Sequence, residues 1–353
     1  MTPAQTIYIV QTAFLGDVVL TLPLCAALRR SYPEAQIVFI TTPMAADFLK
    51  GLSVADDVVA FDKRRTHRSI SSVRALAASL RCTGPSVAIV PHKSLRTAIF
   101  VQALRADVLV TFKDAMSRWF ATHTVEYPAH RHDVDRHMAL LQPLFPASSM
   151  VPDSHSLMPI DLRTHDKQEA INVWNEALSA PRIVLAPATV WPTKQWPVEQ
   201  MRGLAQRCLH EGYQVAVIGD ASVHGCMDGI AGVNDQIGKT TLRQAATIIA
   251  TADCVVANDS APVHLASLQN VPVVAIFGPT VPEFGFGPLG QRSRVVQRGD
   301  LECRPCSSHG GRSCPIGTHE CMTGISVDAV FSALQSTLAH DVNRHAKPNE
   351  TTF

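Results

Sequence analysis

The sequence has no run of about 18 uncharged apolar residues, which is the length that a transmembrane helix requires. Residues 1–17 lack the basic segment and the small-residue cleavage site of a secretory signal, and they lead directly into a strand pattern. We therefore expect a protein without a transmembrane helix that works in the cytoplasm. Charged residues make up only 17% of the chain and the net charge is +1, so the bulk charge does not favour nucleic acid as a partner.

Two common nucleotide-binding fingerprints are also missing. The first predicted strand is followed by a single glycine, Gly16, and not by the GxGxxG pattern of dinucleotide-binding enzymes, which disfavours a dehydrogenase. Lys194 lies in a loop that lacks the GxxxxGK[ST] spacing of P-loop proteins. Any nucleotide site in this chain must therefore be built in another way.

Short apolar runs rich in β-branched residues alternate with helical stretches in both halves of the 353 residues. Continuous apolar strands with helices between them indicate parallel sheets that are covered on both faces. The predicted strands are residues 7–10, 37–40, 58–61, 87–90 and 108–110 in the first half and 183–186, 215–218, 254–257 and 273–277 in the second. The predicted helices include residues 20–30, 70–80, 196–209 and 242–250.

This pattern predicts two doubly wound α/β domains, residues 1–165 and 180–325, followed by a terminal helix over 326–342 and a loose tail over 343–353. A segment rich in proline and serine, residues 146–166, is typical of a linker between them. Ligands of such sheets bind outside the carboxyl ends of the strands, so two facing domains would form a cleft there.

Polar side chains follow two of the predicted strands where a ligand would lie. Asp17 comes after the first strand, at the start of a helix, where it serves either the helix dipole or proton transfer as a general base. Thr189, Thr193 and Lys194 lie in the loop after residues 183–186. A loop with hydroxyls and a lysine before a helix suits a phosphate group, and a solvated lysine is the alternative.

The stretch "VVANDSAPVHLAS" has the same organisation. Asp259, Ser260 and Ala261 form the link between a buried strand and a helix whose first N–H groups would attract a diphosphate. Asp259 would repel a phosphate, so we expect it to accept hydrogen bonds from a neutral group such as a sugar hydroxyl. His264, one turn further, is either a structural histidine or a residue of the same site.

These strand ends belong to a set of segments that match one family in order along the chain. The chain resembles the bacterial lipopolysaccharide heptosyltransferases, glycosyltransferase family nine, from residue 7 to about 330. The segments that carry the resemblance are "FLGDVVLTLPLCAALR", "PHKSLRTA", "RHDVDRHMALL", "APATVWPTKQWP", "IGKTTLRQAATIIATADCVVANDSAPVHLAS", "FGPTVPEFGFGPLG" and "CRPCSSHGGRSCPIGTHECM". The resemblance implies a GT-B fold, in which two Rossmann-like domains face each other across a cleft.

The resemblance also implies an inverting transfer of heptose from ADP-heptose to the lipopolysaccharide inner core. It implies that Asp17 is the general base and that Thr193 and Lys194 contact the donor phosphates and ribose. It places Asp259, Ser260, Ala261 and His264 around the phosphates and the heptose, Asp220 more loosely at the ribose, and residues 239–242 with Thr240 and Thr241 at the adenine. The chain departs from the family at Ala188, where a glycine is common, which leaves less room for close approach of the backbone.

The first 150 residues carry an excess of positive charge, with 16 Lys and Arg against 11 Asp and Glu. The resemblance places the acceptor in this half, and the inner core bears carboxylates and phosphates that Arg and Lys bind well. Residues 62–68 are either a solvated basic loop or part of this site. The candidate acceptor-binding residues are Arg64, His92, Lys93 and Arg96.

Four of the nine cysteines are clustered, with the spacing Cys303-x2-Cys306-x7-Cys314-x6-Cys321. A CxxC pair with two further cysteines can hold a tetrahedral zinc ion. The resemblance does not imply a zinc protein, so a structural zinc, reduced thiols and disulfides remain three alternatives. We expect the interaction that holds this segment in place to serve the structure and not the reaction.

The resemblance therefore implies a glycosyltransferase that binds ADP-heptose and an anionic lipopolysaccharide core acceptor. It is expected to need no cofactor, because no DxD-type acid pair lies in the predicted cleft and a lysine with a helix terminus can stabilise departing ADP. Its acceptor would bring it into peripheral contact with the inner face of the inner membrane. The alternatives are a transferase with another nucleotide-sugar or acceptor, and a non-catalytic module that binds a nucleotide-sugar.

Overall fold

The computed structural model of this chain describes residues 5–145, 153, 160–162 and 172–339. The chain divides into two compact units, Met1–Ile160 and Asp161–Phe353. Most of the predicted linker, residues 340–342 of the predicted terminal helix and the predicted tail lie outside the described residues. The domain limits drawn from the sequence, 165 and 180, stay a prediction.

The first unit contains a parallel sheet of six strands in the order β3-β2-β1-β4-β5-β6. Strands β1 and β4 are buried along their whole length, as expected for central strands with both faces covered. The strands are β1 (Thr6–Val10), β2 (Gln36–Thr41), β3 (Asp57–Ala60), β4 (Ser86–Val90), β5 (Val108–Phe112) and β6 (His123–Val125). The helices are α1 (Leu15–Leu20), α2 (Leu22–Ser31), α3 (Pro43–Leu49), α4 (Ile70–Ser79), α5 (Leu95–Leu104) and α6 (Asp133–Ala139).

The second unit repeats this architecture with the strand order β12-β11-β10-β7-β8-β9. The strands are β7 (Arg182–Ala186), β8 (Gln214–Val217), β9 (Val233–Asp235), β10 (Cys254–Asn258), β11 (Val273–Phe277) and β12 (Arg294–Gln297). The helices are α7 (Val198–His210), α8 (Leu242–Ala250), α9 (Ala261–Leu268), α10 (Glu320–Thr323) and α11 (Val327–Ala339). None of the helices within the described part of the chain is long and apolar enough to cross a membrane.

The core of the second unit is formed by strand residues together with the inner faces of α7 and α11. Trp196 is completely buried in it, and its indole Nε1 donates a hydrogen bond to the Ile325 carbonyl at 3.0 Å. Phe331 and Leu334 of α11 lie in the same cluster. The predicted terminal helix is therefore an integral part of the second unit, because its apolar face completes that core.

Each sheet has one point at which the strand order reverses. In the first sheet the chain builds outward from β1 to β3 on one side and from β4 to β6 on the other; in the second sheet β7 and β10 are the corresponding neighbours. The crevice outside the carboxyl ends of such strands is the usual ligand site of this architecture. The loops after β1, β4, β7 and β10 are therefore the expected positions of binding and catalytic residues.

The prediction of two doubly wound parallel sheets is confirmed. The sequence missed β6, β9 and β12, which are edge strands of only three or four residues without a continuous apolar run. The predicted helix over 20–30 is wrong in one respect, since the chain forms two helices that meet at Thr21. Pro23 lies in the first turn of α2, where its missing N–H costs no helical hydrogen bond, so it favours a new helix start.

Candidate functional site

Asp17 lies in the first turn of α1, in the loop that follows β1 at the switch point of the first sheet. Its side chain is partly exposed. The Thr21 hydroxyl donates a hydrogen bond to the Asp17 carbonyl oxygen at 2.7 Å, which fixes the end of this short helix. This turn therefore fixes the backbone at Asp17, whose carboxylate is partly buried.

The pKa of Asp17 is raised to about 6, first by burial and then by the negative charge of Asp133, while His137 acts in the opposite direction. A carboxylate with a pKa this close to neutrality is a better proton acceptor than an ordinary aspartate, and it is still ionised at pH 7. This is the protonation behaviour that a general base requires.

A buried cluster on α6 supports this position. Asp133 receives Arg136 Nη1 at 3.4 Å on one oxygen and lies 3.3 Å from His137 Nε2 with the other. His137 Nδ1 lies 3.2 Å from the Thr21 hydroxyl, so the cluster continues to the residue that caps Asp17. These three residues were not among the predicted site residues; the signal that could have found them is an acid, a base and a histidine at i, i+3 and i+4 of one helix.

A second cluster lies at the carboxyl ends of β3 and β4. Lys63 Nζ donates to the hydroxyls of Ser94 and Thr97 at 3.3 and 3.2 Å and lies 3.4 Å from His92 Nδ1. Burial, and then repulsion by Arg96, lower the pKa of Lys63 to about 8. Within the described residues Lys63 makes no ion pair, so it is a half-buried cation beside the first turn of α5. It was not among the predicted acceptor-binding residues.

The structure corrects the expectation that His92 supplies a positive charge. Burial and the neighbouring Lys63 lower the pKa of His92 to about 3, so its imidazole is neutral at physiological pH. Its Nδ1 instead lies within hydrogen-bond distance of the Thr12 and Thr97 hydroxyls, at 3.0 and 2.7 Å.

The other three residues selected for the acceptor have different surroundings. Lys93 forms an ion pair with Asp114 at 2.7 Å and lies 3.1 Å above the centre of the Tyr127 ring, so its charge is already compensated. Arg96 is exposed, and its guanidinium donates to the Lys63 carbonyl. Arg64 is exposed in the loop after β3. The structure thus groups Arg96 with Lys63 and separates Lys93 from them.

In the second unit, the loops after β7 and β10 bring a cation and an acid together. Lys194 Nζ lies 2.6 Å from Asp259 Oδ2, and the two side chains are 11% and 6% exposed. The same carboxylate oxygen accepts a hydrogen bond from Thr280 at 2.6 Å. Lys194 is therefore not a solvated lysine, and Asp259 is committed to a cation before any ligand is bound.

Asn258, which is fully buried at the end of β10, fixes the loop after β7. Its side chain accepts a hydrogen bond from the Trp196 N–H at 3.0 Å and donates one to the Pro187 carbonyl at 2.8 Å. These two bonds fasten the loop at both ends, because Pro187 and Trp196 flank the segment that carries Lys194. The tryptophans near Lys194 differ, since Trp196 is buried in the core while Trp191 is partly exposed.

The remaining residues selected for the donor lie around this ion pair or further along the same edge. Ala261 begins α9, Ser260 precedes it with its hydroxyl on the Asn258 carbonyl, and His264 is buried one turn later. Thr189 is partly exposed. Thr193 is buried, and its hydroxyl accepts a hydrogen bond from the Gly311 N–H at 2.8 Å.

Asp220, Thr240 and Thr241 lie outside the sheet, in the loop after β8 and in the turn before α8. Asp220 is exposed and accepts a hydrogen bond from the Ser222 N–H at 2.8 Å. Thr241 is the N-cap of α8 and forms a capping box with Gln244. The Thr241 hydroxyl is therefore already used in capping the start of α8, while Thr240 is partly exposed beside it.

The four clustered cysteines lie in residues 301–323, which we call the cysteine loop. All four thiols are free. Nowhere in residues 5–145, 153, 160–162 or 172–339 are three or more His, Cys, Asp or Glu side chains arranged to hold a metal ion. The loop is instead attached by hydrogen bonds to Thr193, directly before Lys194, and to the carbonyls of residues 278–280 after β11.

Comparison with known proteins agrees with this geometry. The profile of glycosyltransferase family 9 (heptosyltransferase) matches residues 73–315. Lipopolysaccharide heptosyltransferase 2 of Escherichia coli is 25% identical over 319 residues, which cover 82% of this chain and 87% of that protein.

Solved structures of the same family share the fold. A glycosyl transferase family 9 protein from Veillonella parvula superimposes with a TM-score of 0.79 at 21% identity, over 95% of this chain and 98% of that one. The ADP-heptose lipopolysaccharide heptosyltransferase II of E. coli gives 0.70 at 21% identity, over 95% and 99%. The predicted GT-B fold class is confirmed. Because the family profile spans well over half of its length, the chain belongs to glycosyltransferase family 9, the heptosyltransferase family.

Proposed function

We propose that this glycosyltransferase transfers heptose from ADP-heptose to the anionic inner core of lipopolysaccharide, with inversion at the anomeric carbon. The observation that carries the proposal is the buried ion pair of Lys194 with Asp259 at the switch point of the second sheet, in a member of this family. Lipopolysaccharide heptosyltransferase 2 of E. coli, which is similar over most of its length, supports the choice of sugar and acceptor.

The donor site is proposed at the loops after β7 and β10. The diphosphate of ADP-heptose would take Lys194 as its counter-ion beside the first turn of α9, where Ser260 and Ala261 offer backbone N–H groups. As the sugar departs, negative charge grows on the diphosphate, and a cation held in a poorly hydrated position stabilises it more than a solvated one would. Asp259 holds the Lys194 ammonium in place. The further candidates for contacts to the donor are Thr189, His264, Asp220, Thr240 and Thr241.

The base is proposed to be Asp17. Its carboxylate takes the proton of an acceptor hydroxyl while that oxygen forms a bond to the anomeric carbon. The bond between the anomeric carbon and the phosphate oxygen breaks in the same step, and ADP leaves with the electron pair. A direct displacement of this kind inverts the anomeric configuration and needs no nucleophile from the protein.

A panel of nucleotide-sugars tests the proposed reaction. With a lipopolysaccharide core that lacks its heptoses as acceptor, ADP-heptose should give turnover, while nucleotide-sugars with another base or another sugar should give little. Preferred turnover of another nucleotide-sugar would favour a transferase with a different donor. Tight binding of ADP-heptose without product from any truncated core would favour a non-catalytic binding module.

The acceptor side is proposed at the cluster of Lys63 and Arg96, with Arg64 beside it. Lys63→Met and Arg96→Gln should each raise the acceptor KM by about tenfold or more, because each removes a charged hydrogen-bond donor from a carboxylate or phosphate. The donor KM should stay unchanged. Since the pKa of Lys63 is lowered to about 8, the acceptor KM should also rise as the pH increases through that value.

Arg105→Gln is the matched control for Arg96→Gln, because Arg105 lies at the opposite end of the same helix, α5. Its kinetics should match those of the wild type. If Lys63→Met and Arg96→Gln changed only the donor KM, the acceptor site would have to lie elsewhere.

The proposed location of the enzyme in the cell follows from the location of its acceptor. Lipopolysaccharide core is anchored in lipid, so an enzyme that extends it would work in the cytoplasm and meet the inner face of the inner membrane through its substrate. Purified protein should sediment with vesicles that contain core acceptor and not with vesicles of the same phospholipids alone. Equal binding to both vesicles would show a direct affinity for lipid.

No metal is proposed to take part, and the thiols of the cysteine loop are not arranged as a zinc site. We propose that hydrogen bonds hold this loop. Cys306 is anchored through its N–H to the Pro279 carbonyl at 3.1 Å, and burial raises the pKa of its thiol. Cys306→Ser keeps this backbone hydrogen bond and changes a largely exposed side chain, so the melting temperature and kcat per folded molecule should both stay near the wild-type values.

Metal analysis of protein purified without chelator decides between the alternatives for the cysteines. The account expects much less than one metal ion per chain. One equivalent of zinc that is lost in Cys306→Ser would establish the structural zinc instead, and loss of turnover without loss of stability would point to a direct role of the thiol.

A further inference from the structure

The cysteine loop contacts the segment that carries Lys194 at several points. The Gly311 N–H donates to the Thr193 hydroxyl at 2.8 Å, and the Thr193 N–H donates to the Gly311 carbonyl at 3.2 Å. His319 Nε2 lies 2.7 Å from the Thr193 carbonyl. Because a carbonyl oxygen can only accept, Nε2 carries the proton in this contact. The residue directly before Lys194 is thus fixed by three hydrogen bonds from one loop.

The same loop also holds the other side of the ion pair. The guanidinium of Arg304 donates to the carbonyls of Gly278 and Thr280, the latter at 2.9 Å. The Thr280 hydroxyl in turn donates to Asp259 Oδ2 at 2.6 Å. Thr193, which the cysteine loop holds, directly precedes Lys194. Thr280, which the loop also holds, donates a hydrogen bond to Asp259.

At Gly310 the loop backbone packs directly against the stem of Lys194. A β-carbon at this position would lie 2.8 Å from Trp191 Cβ and 3.2 Å from Lys194 Cγ. Contacts under 3.0 Å are not tolerated, so any side chain here would displace the segment that carries Lys194. The backbone also has a φ of +97° at this residue, which glycine adopts readily.

We propose that the cysteine loop is the positioning element of the donor site, with Gly310 and His319 as the residues that set the place of Lys194. This proposal rests on the proposed function and deepens it. A lysine has four rotatable bonds, and a free lysine would lose that freedom when it binds a diphosphate. The loop removes this cost in advance, so its effect is on donor affinity and on stabilisation of departing ADP.

Gly310→Ala tests the proposal, with Gly317→Ala as its matched control. Gly317 lies in the same loop with a φ of +78°, but nothing lies within 4 Å of the place of its β-carbon. Both substitutions cause the same kind of backbone strain, and only the first pushes on Trp191 and Lys194. Gly310→Ala should raise the Kd for ADP by about 10- to 100-fold relative to Gly317→Ala, since a displacement of about 1 Å can have such an effect. The acceptor KM should be the same in both variants.

A pair of substitutions at His319 gives an independent readout. His319→Gln places an amide N–H where Nε2 was, and His319→Leu offers no donor. Both must adopt the left-handed backbone of this residue, φ 51°, so the strain is similar. ADP affinity should be lost in His319→Leu and largely retained in His319→Gln.

Lys194→Ala separates the possible outcomes. If Gly310→Ala and Gly317→Ala bound ADP equally while Lys194→Ala bound it weakly, the positioning role would be wrong and the donor site would stand. If Lys194→Ala bound ADP as tightly as the wild type, the donor site itself would be wrong, and the positioning proposal would be overturned with it.

Discussion

Asp17→Asn should lower kcat by about 10²- to 10⁴-fold, which is the usual contribution of a general base. The asparagine has almost the same shape as aspartate but cannot take the proton of an acceptor hydroxyl. ADP affinity should not change, because Asp17 belongs to the first unit and the proposed donor contacts to the second. Asp47→Asn, which removes an exposed acid from the same unit, is the control and should turn over normally.

The pH dependence of turnover by the wild type follows from the pKa of Asp17. Burial and the charge of Asp133 raise this pKa, His137 acts to lower it, and the result is about 6. The ionised form is the base, so kcat/KM, which reports the free enzyme, should fall as the pH decreases through about 6. For stability the sign is the opposite: the folded state favours the protonated carboxyl, and the ionised form is unfavourable above this pH. Asp17→Asn should therefore melt at or above the wild-type temperature at pH 7.

These measurements distinguish a lost base from a damaged fold. Low turnover together with a lowered melting temperature would indicate misfolding. Turnover near the wild-type value, at saturating acceptor and with an intact fold, would remove Asp17 from the mechanism.

Lys194→Ala should raise the Kd for ADP by about 10- to 100-fold and lower kcat by about 10²- to 10³-fold. The first effect is the loss of a charged hydrogen-bond donor to the diphosphate, and the second is the loss of stabilisation as the leaving group gains charge. Turnover of the wild type should not require Mg²⁺. If EDTA abolished turnover and Mg²⁺ restored it, this account of how departing ADP is stabilised would be wrong.

The same substitution affects stability, because it leaves Asp259 buried without its cation. Breaking a buried pair in this way costs about 3–5 kcal/mol. The double variant Lys194→Ala/Asp259→Asn removes the stranded charge, and its asparagine can still accept the hydrogen bond from Thr280. Its melting temperature should recover while its ADP affinity stays low, which separates binding from folding.

The parts of the site that the sequence predicted are those that follow buried strands. Because central strands of a doubly wound sheet are apolar runs, their carboxyl ends can be read directly, and the residues after them belong to one edge. This is how Asp17, Lys194 and Asp259 could be selected before the structure was known. The ion pair between the last two was not predicted, since their loops are far apart along the chain.

In the basic half of the chain, the sequence did not show which positive charges are free to bind an anion. Composition identified an excess of cations but not which of them were compensated. Lys93 pairs with Asp114 and lies over Tyr127, whereas Lys63 pairs with no acid among the described residues. The charge of His92 depends on burial and on Lys63, and neither is visible in a short motif.

The cysteine loop was the least predictable element. Its spacing suggested metal ligands, but its attachments are backbone groups, Arg304 and His319, which carry no spacing signal. It contacts the segment that carries Lys194. Local sequence cannot indicate which distant segment a loop without periodicity will contact.

The most direct test of the central claim is the stereochemistry of the product. Purified protein would be incubated with ADP-heptose and a heptose-deficient lipopolysaccharide core in the presence of EDTA, and the product would be analysed by mass and by the NMR signal of the new anomeric proton. The account predicts one added heptose per ADP released, with the anomeric configuration opposite to that of the donor. A product with retained configuration, or no heptose transferred to any core acceptor, would contradict it.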